Sequence, residues 1–158
     1  MYTNLIKNNK KNILIIYAST SGNAQLVAEA ISDGILENSD TFSLQKAELS
    51  SPIEINNYDA TILVSSTWNV GLLNDNIVKF YKEMIKMKFT NKIIEIVGLG
   101  DSKHYDIFCG AADILQEALF QIEGRQIMPT LKIDGQVAGR LLEFKDWGNK
   151  FAKKLSKI

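Results

Sequence analysis

The chain has 158 residues, 46% hydrophobic and 23% charged, which is enough for one domain with a full core. Its 18 Lys and Arg balance 18 Asp and Glu, so it does not resemble a uniformly basic nucleic-acid binder. A lone cysteine, Cys109, excludes an internal disulfide, and no stretch is apolar for long enough to cross a membrane. We therefore expect one cytoplasmic, monomeric domain over 1–158, with 1–11 as a basic N-terminal extension.

Strand and helix patterns alternate along the chain. Short apolar runs predict strands at 12–17, 41–48, 59–65, 92–98 and 126–133. Apolar residues at helical spacing predict helices at 24–35, 74–87, 109–121 and 141–158. Pro129 restricts the fifth strand to an edge or a bulge. Together these elements predict an α/β fold, a doubly wound five-stranded parallel sheet with helices on both faces.

Three loops leave the carboxyl ends of predicted strands, where open parallel sheets bind their ligands. The first is a run of small and polar residues, namely Ser19, Thr20, Ser21, Gly22 and Asn23. It leads directly into a helix, whose N–H groups and positive end suit a phosphate. A helix cap would explain one of these residues but not the whole run. Because no Lys or Arg lies between Lys11 and Lys46, a phosphate here would be held by dipoles and hydroxyls.

The other two loops each carry an aromatic residue just after a strand. Trp68 follows the third predicted strand and Tyr105 follows the fourth. Either residue alone could pack on the core, but two aromatics on neighbouring loops can sandwich a planar ring. The P-loop and dinucleotide fingerprints are both absent, because the first loop has a single glycine and no Gly-Lys pair. A planar, monophosphorylated ligand is therefore favoured.

These segments resemble those of flavodoxins, the FMN-carrying electron-transfer proteins. The stretch 19–24 resembles the phosphate loop of that family, and 66–71 resembles its first flavin-stacking loop. The second stacking loop is matched by 100–102 together with Tyr105 and 108–110. Since the fifth predicted strand lacks a long insertion, the resemblance is to the short-chain type.

The resemblance implies a non-covalently bound FMN. Ser19, Ser21, Asn23 and Ser66 would hold its phosphate, Trp68 and Tyr105 would cover its two faces, and the backbone near Asp101 and Cys109 would bind the pyrimidine edge. The complete expected cofactor site is Ser19, Thr20, Ser21, Gly22, Asn23, Ala24, Ser66, Thr67, Trp68, Asn69, Val70, Gly71, Gly100, Asp101, Tyr105, Phe108 and Cys109. No catalytic or metal-binding residue is expected.

The same resemblance implies a low-potential one-electron carrier that is not itself an enzyme. It would pass FMN between semiquinone and hydroquinone for redox partners of the flavin reductase or iron-sulfur oxidoreductase class. In this family the peptide after the inner stacking residue, here between Asn69 and Val70, turns toward the flavin. His104, beside Tyr105, is a candidate for making the lower potential depend on pH. The alternative function is an FMN-dependent quinone reductase or oxidase of the same fold, which would oxidise NADH directly.

Overall fold

The computed structural model describes residues 10–103 and 107–158. Its strands are β1 (Asn12–Ala18), β2 (Thr41–Lys46), β3 (Ala60–Trp68), β4 (Leu72–Leu73), β5 (Ile93–Gly100) and β6 (Leu131–Asp134). Its α-helices are α1 (Asn23–Leu36), α2 (Asp75–Met84), α3 (Gly110–Ile122) and α4 (Leu141–Leu155). Five parallel strands form a sheet in the order β2-β1-β3-β5-β6, and the two-residue β4 pairs antiparallel with the end of β3. The predicted doubly wound α/β fold is confirmed, with β4 as an addition.

Helices cover both faces of the sheet. Phe144 and Phe151 of α4 pack with α1 on one face, and Phe80 of α2 packs with α3 on the other. Successive residues of a strand point to opposite faces, so a strand covered on both faces is apolar throughout. This explains the unbroken apolar run at the start of β1, where every residue from Ile13 to Ala18 is buried. Within the described part of the chain, no helix is long and apolar enough to cross a membrane.

The strand order reverses between β1 and β3. From β1 the chain runs outward to β2, and then returns to place β3 on the other side of β1. The register sets Ala18 beside Ser65 and Ser66 beside Leu99, so the carboxyl ends of β1, β3 and β5 lie side by side. The connections after β1 and β3 lead to helices on opposite faces, which opens a crevice at this edge of the sheet.

Several predicted boundaries differ from the observed ones. The third predicted strand ends too early, because β3 continues through Trp68 and forms a hairpin with β4. The second ends too late, since Ala47–Leu49 forms a 3-10 turn, and a second 3-10 segment follows at Pro52–Asn57. The helices α2 and α4 are each three residues shorter at their carboxyl ends than predicted. Because β3 continues to Trp68, the first stacking loop, 66–71, begins on a strand.

The predicted fifth strand at 126–133 is wrong over its first half. Only Leu131–Asp134 pairs with β5 as a strand, and Pro129 interrupts the ladder before it. The side chain of Glu95, fully buried on β5, takes the place of the missing backbone acceptors. Its Oε1 accepts a hydrogen bond from Ile127 N at 2.6 Å, and its Oε2 accepts one from Met128 N at 3.4 Å. Burial raises the pKa of Glu95 to about 7, although these two hydrogen bonds oppose the rise.

Candidate functional site

A cleft of about 260 Å³ opens beyond the carboxyl ends of β1, β3 and β5. Four loops contribute its lining, which is Ser21, Asn23, Ser66, Thr67, Leu99, Gly100, Asp101, Gly135 and Gln136. Three of these loops are the predicted ones, so the structure brings them together as expected. The fourth loop, which follows β6 and supplies Gly135 and Gln136, was not predicted.

The first loop presents the amino end of α1 to the cleft. Gly22 occupies the N-cap position with a left-handed φ of 92°, which glycine adopts readily. Its N–H donates to Ser19 Oγ at 2.9 Å, which closes the loop on itself. Within the described part of the chain no side chain caps the helix, so the N–H groups of its first turn have no side-chain acceptor there. An uncapped, partly positive helix end beside the exposed side chains of Ser21 and Asn23 fits a phosphate group.

The cleft offers a phosphate no cationic side chain among the described residues that line it. The one charged side chain in the lining is Asp101, whose Oδ1 accepts a hydrogen bond from Lys103 N at 2.9 Å. Binding of an anion here would therefore depend on neutral donors, as the first loop predicted. The predicted site residue Ala24 contributes backbone only, because its side chain is fully buried behind the loop.

Asn74 joins the first loop to the end of β3, and sequence reasoning did not identify it as a site residue. The side chain is only 1% exposed. Its Nδ2 donates to Ser66 Oγ at 2.7 Å and to Thr20 Oγ1 at 2.9 Å, and its Oδ1 accepts from Asn76 N at 2.9 Å, capping α2. Asn76 in turn donates from Nδ2 to the carbonyl oxygen of Ser19 at 3.0 Å. An asparagine just before an amphipathic run is a helix-start signal, but its long-range contacts have no local signature.

The second and third loops pack directly against each other. A side chain at Gly110 would collide with the backbone of Gly71, so glycine at position 110 permits the close approach of the two loops. Thr67 Oγ1 also accepts a hydrogen bond from Ala111 N, at 3.4 Å, across the same junction. Asn69, in the predicted mobile peptide, adopts a left-handed φ of 46°. The geometry of the first stacking loop is thus tied to the start of α3.

Cys109 is buried at the start of α3. Its Sγ lies 3.6 Å from the carbonyl oxygen of Gly98 and 3.7 Å from that of Ile133, within donating distance of both. Burial raises the pKa of the thiol to about 11, so the thiol stays protonated at neutral pH. A side chain at Gly100 would approach Cys109 N to 2.9 Å. The side chain of Cys109 therefore serves packing, and only its backbone is placed to serve a ligand.

The fourth loop is fastened to the third by Asp134. Its carboxylate accepts hydrogen bonds from Ser102 N at 2.9 Å and from Ser102 Oγ at 2.6 Å. These bonds from Ser102 lower the pKa of Asp134. Arg140 Nη1 donates to the carbonyl oxygens of Asp134, at 2.8 Å, and Gln136, at 3.2 Å. The contacts hold Gln136 at the rim of the cleft.

Of the two aromatic residues predicted to cover a planar ring, Trp68 lies within the described residues and Tyr105 does not. Trp68 ends β3, is half-buried, and pairs with Leu72 across the hairpin. Tyr105 and His104 lie outside the described residues, so their expected roles stay predictions. Val70 and Phe108 are described, the first exposed and the second half-buried, and neither lines the cleft.

Comparisons with known proteins agree with one another. The profile of a family described as Flavodoxin matches residues 15–156. The chain is 30% identical to "Probable flavodoxin 2" of Bacillus subtilis, over 90% of this chain and 95% of that protein. It is also 30% identical to a flavodoxin of Maridesulfovibrio salexigens, over 90% and 97% of the two chains. The crystal structure of oxidised Flavodoxin 2 from Bacillus cereus superposes with a TM-score of 0.81 at 29% identity, over 92% of this chain and 98% of that one.

Proposed function

This chain belongs to the flavodoxin family of flavin-binding electron-transfer proteins, and we propose on that basis that its cofactor is FMN, held in the cleft described above. The observation that carries the proposal is the convergence of an uncapped helix end, neutral donors and three family-like loops at one point. FMN supplies one-electron chemistry when it is bound. The protein supplies binding, orientation and partner recognition.

The phosphate of FMN would lie at the amino end of α1. The first-turn N–H groups donate to it, together with the side chains of Ser21 and Asn23 and the hydroxyl of Ser66. Each such bond is charge-assisted, so these neutral groups act as strong donors to a phosphate dianion. Ser19 already accepts from the loop backbone at Gly22 N, and its own hydroxyl hydrogen is still available for donation.

The ring system of FMN would lie between the second and third loops. Trp68 would cover one face, and backbone groups near Gly100, Asp101 and Cys109 would reach the pyrimidine edge. The close contact of Gly71 with Gly110 supports this assignment, because it holds the two loops at a fixed separation. Stacking on aromatic side chains contributes about 1 kcal/mol each beyond area burial.

The partners we propose are redox proteins with basic docking surfaces, of the flavin reductase or iron-sulfur oxidoreductase class. Residues 12–144 carry an excess of acidic side chains, including Asp101 in the cleft lining, Asp75 at the start of α2 and Asp134 at the end of β6. Such a surface steers association with a basic partner, and the on-rate falls as salt rises. We place the carrier in the cytoplasm, because a single free, buried cysteine is typical of proteins in a reducing compartment.

The direct test is cofactor choice. The purified chain, stripped of flavin, is titrated with FMN, riboflavin and FAD while flavin fluorescence is followed. We expect FMN to bind most tightly, with riboflavin weaker because the phosphate contacts are lost. Equal affinity for FMN and riboflavin would contradict the phosphate site. Rapid NADH oxidation by the FMN-loaded protein, with or without a quinone, would instead support the reductase alternative.

A further inference from the structure

The side-chain amide of Asn74 has a fixed orientation. Its Oδ1 accepts the N–H of Asn76 at 2.9 Å, and this N–H can only donate. The other end of the amide, Nδ2, must therefore face the hydroxyls of Ser66, at 2.7 Å, and Thr20, at 2.9 Å. Both contacts have the amide as donor and the hydroxyl oxygen as acceptor. Because Asn74 is buried, water does not compete for these bonds.

A hydroxyl that accepts on one side has its single hydrogen left to donate on another. Ser66 is half-buried and lines the cleft. Within the described residues its hydroxyl donates to the carbonyl oxygen of Ala18, at 3.5 Å, which is a weak contact. The hydrogen of Ser66 is thus free to turn toward an anion in the cleft. An acceptor in place of the Asn74 amide would draw this hydrogen away from the cleft.

We propose that Asn74 is a positioning residue that keeps the Ser66 hydroxyl pointing its hydrogen at the phosphate of the bound flavin, and thereby sets the preference of the site for a phosphorylated ligand. The inference rests on the proposed function. It goes beyond that function because Asn74 itself does not line the cleft. The same amide group also donates to Thr20 in the first loop, at 2.9 Å.

Two substitutions separate this role from helix capping. Asn74→Ser keeps a good N-cap oxygen and stays neutral, but its short side chain has no amide donors to give Ser66 and Thr20. Asn74→Asp also keeps the cap, and it replaces the donors with a carboxylate that accepts from both hydroxyls. The order of phosphate preference should therefore be wild type, then Asn74→Ser, then Asn74→Asp. Asn57→Asp, exposed at the opposite end of the sheet, is the matched control for an added charge.

The measurement is the ratio of riboflavin to FMN dissociation constants for each variant. We expect Asn74→Ser to lower this ratio by about threefold to tenfold, because the Ser66 hydroxyl stays but is no longer held in one orientation. Asn74→Asp should lower it by more than about tenfold, which corresponds to the loss of one charge-assisted bond. Riboflavin affinity itself should stay within about twofold, a change too small to signal loss of a bond. If both flavins weaken equally, Asn74 only supports the loop and the proposal is overturned.

A double-mutant cycle with Ser66→Ala decides whether Asn74 acts through that hydroxyl. In the Ser66→Ala background, Asn74→Ser should change the ratio by less than about twofold, because the hydroxyl it orients is gone. An undiminished effect in that background would overturn the proposal.

Inorganic phosphate serves as a second probe, followed by the rise in Tm against chloride at equal ionic strength. A wild type that fails to bind FMN but is stabilised by phosphate, with the effect lost in Asn74→Ser, would overturn the proposed function and support the role of Asn74 toward a bound phosphate. A wild type that binds neither would overturn both. A wild type that binds FMN with a ratio untouched by either substitution would overturn this inference alone.

Discussion

Substituting Glu95 with glutamine should remove a large part of the pH dependence of the protein's stability. Glu95 is fully buried on β5, on the face covered by α1 and α4, and burial raises its pKa from 4.5 to about 7. The folded protein therefore binds this proton more tightly than the unfolded chain does. The stabilising contribution of Glu95 is fully present below about pH 4.5 and is lost as the pH rises through about 7.

The size of the effect follows from the two pKa values. Their difference corresponds to about 3 kcal/mol of unfolding free energy, lost between about pH 4.5 and about pH 7. Glutamine has the shape of a protonated glutamic acid, so its Oε1 can still accept from Ile127 N. Its Nε2 cannot accept from Met128 N, which adds a fixed cost of about 1 kcal/mol. The difference in unfolding free energy between wild type and Glu95→Gln should thus change with pH, whatever its absolute value.

The assay is urea unfolding of wild type and Glu95→Gln at several values from about pH 5 to about pH 8, with both proteins in the same flavin state so that any pH dependence of flavin binding cancels. We expect the unfolding free energy of Glu95→Gln to gain about 2.5 kcal/mol on that of the wild type across this range. Glu117→Gln, on the exposed face of α3, is the control and should show no such gain. Parallel pH profiles for wild type and Glu95→Gln would show that Glu95 does not bind a proton more tightly in the folded protein.

Three further substitutions test other parts of the structure. Asn69→Gly should raise the first one-electron potential of the bound flavin by about 20–40 mV, because glycine makes a turn of this peptide easier by about 0.5–1 kcal/mol; an unchanged potential in spectroelectrochemistry counts against it. Gly110→Ala should weaken FMN and riboflavin alike, by about tenfold or more, since the new methyl group pushes the backbone of Gly71 away; wild-type titration curves would disprove the coupling of the two loops. Asp134→Asn should lower the unfolding free energy at neutral pH. This difference from the wild type should vanish as the pH falls through the lowered pKa of Asp134, because protonation removes the charge that accepts from Ser102. A difference in urea unfolding that persists in acid argues against this role of Asp134.

The fold could be predicted from local patterns because its strands are buried on both faces. The run 13–18 is apolar without interruption and 60–65 is buried throughout, as strands of a parallel sheet covered on both faces require. The loops at the carboxyl ends of these strands could also be identified, because their composition differs sharply from that of the buried strands they follow.

The errors arose where one residue depends on another that is distant in the chain. Glu95 has the sequence context of a strand residue, and nothing near it shows that its carboxylate accepts from Ile127 N and Met128 N, more than thirty positions away. The predicted strand at 126–133 failed for this reason. Asn74 is similar, since a helix cap is visible in the sequence but its bonds to Thr20 and Ser66 are not.

One-electron transfer by this protein is best tested by an anaerobic reductive titration of the FMN-loaded protein followed by absorbance. We expect a one-electron-reduced flavin to accumulate first, and then a second step at a distinctly lower potential, as a single-electron carrier requires. Passage to the fully reduced flavin in one two-electron step would contradict the account.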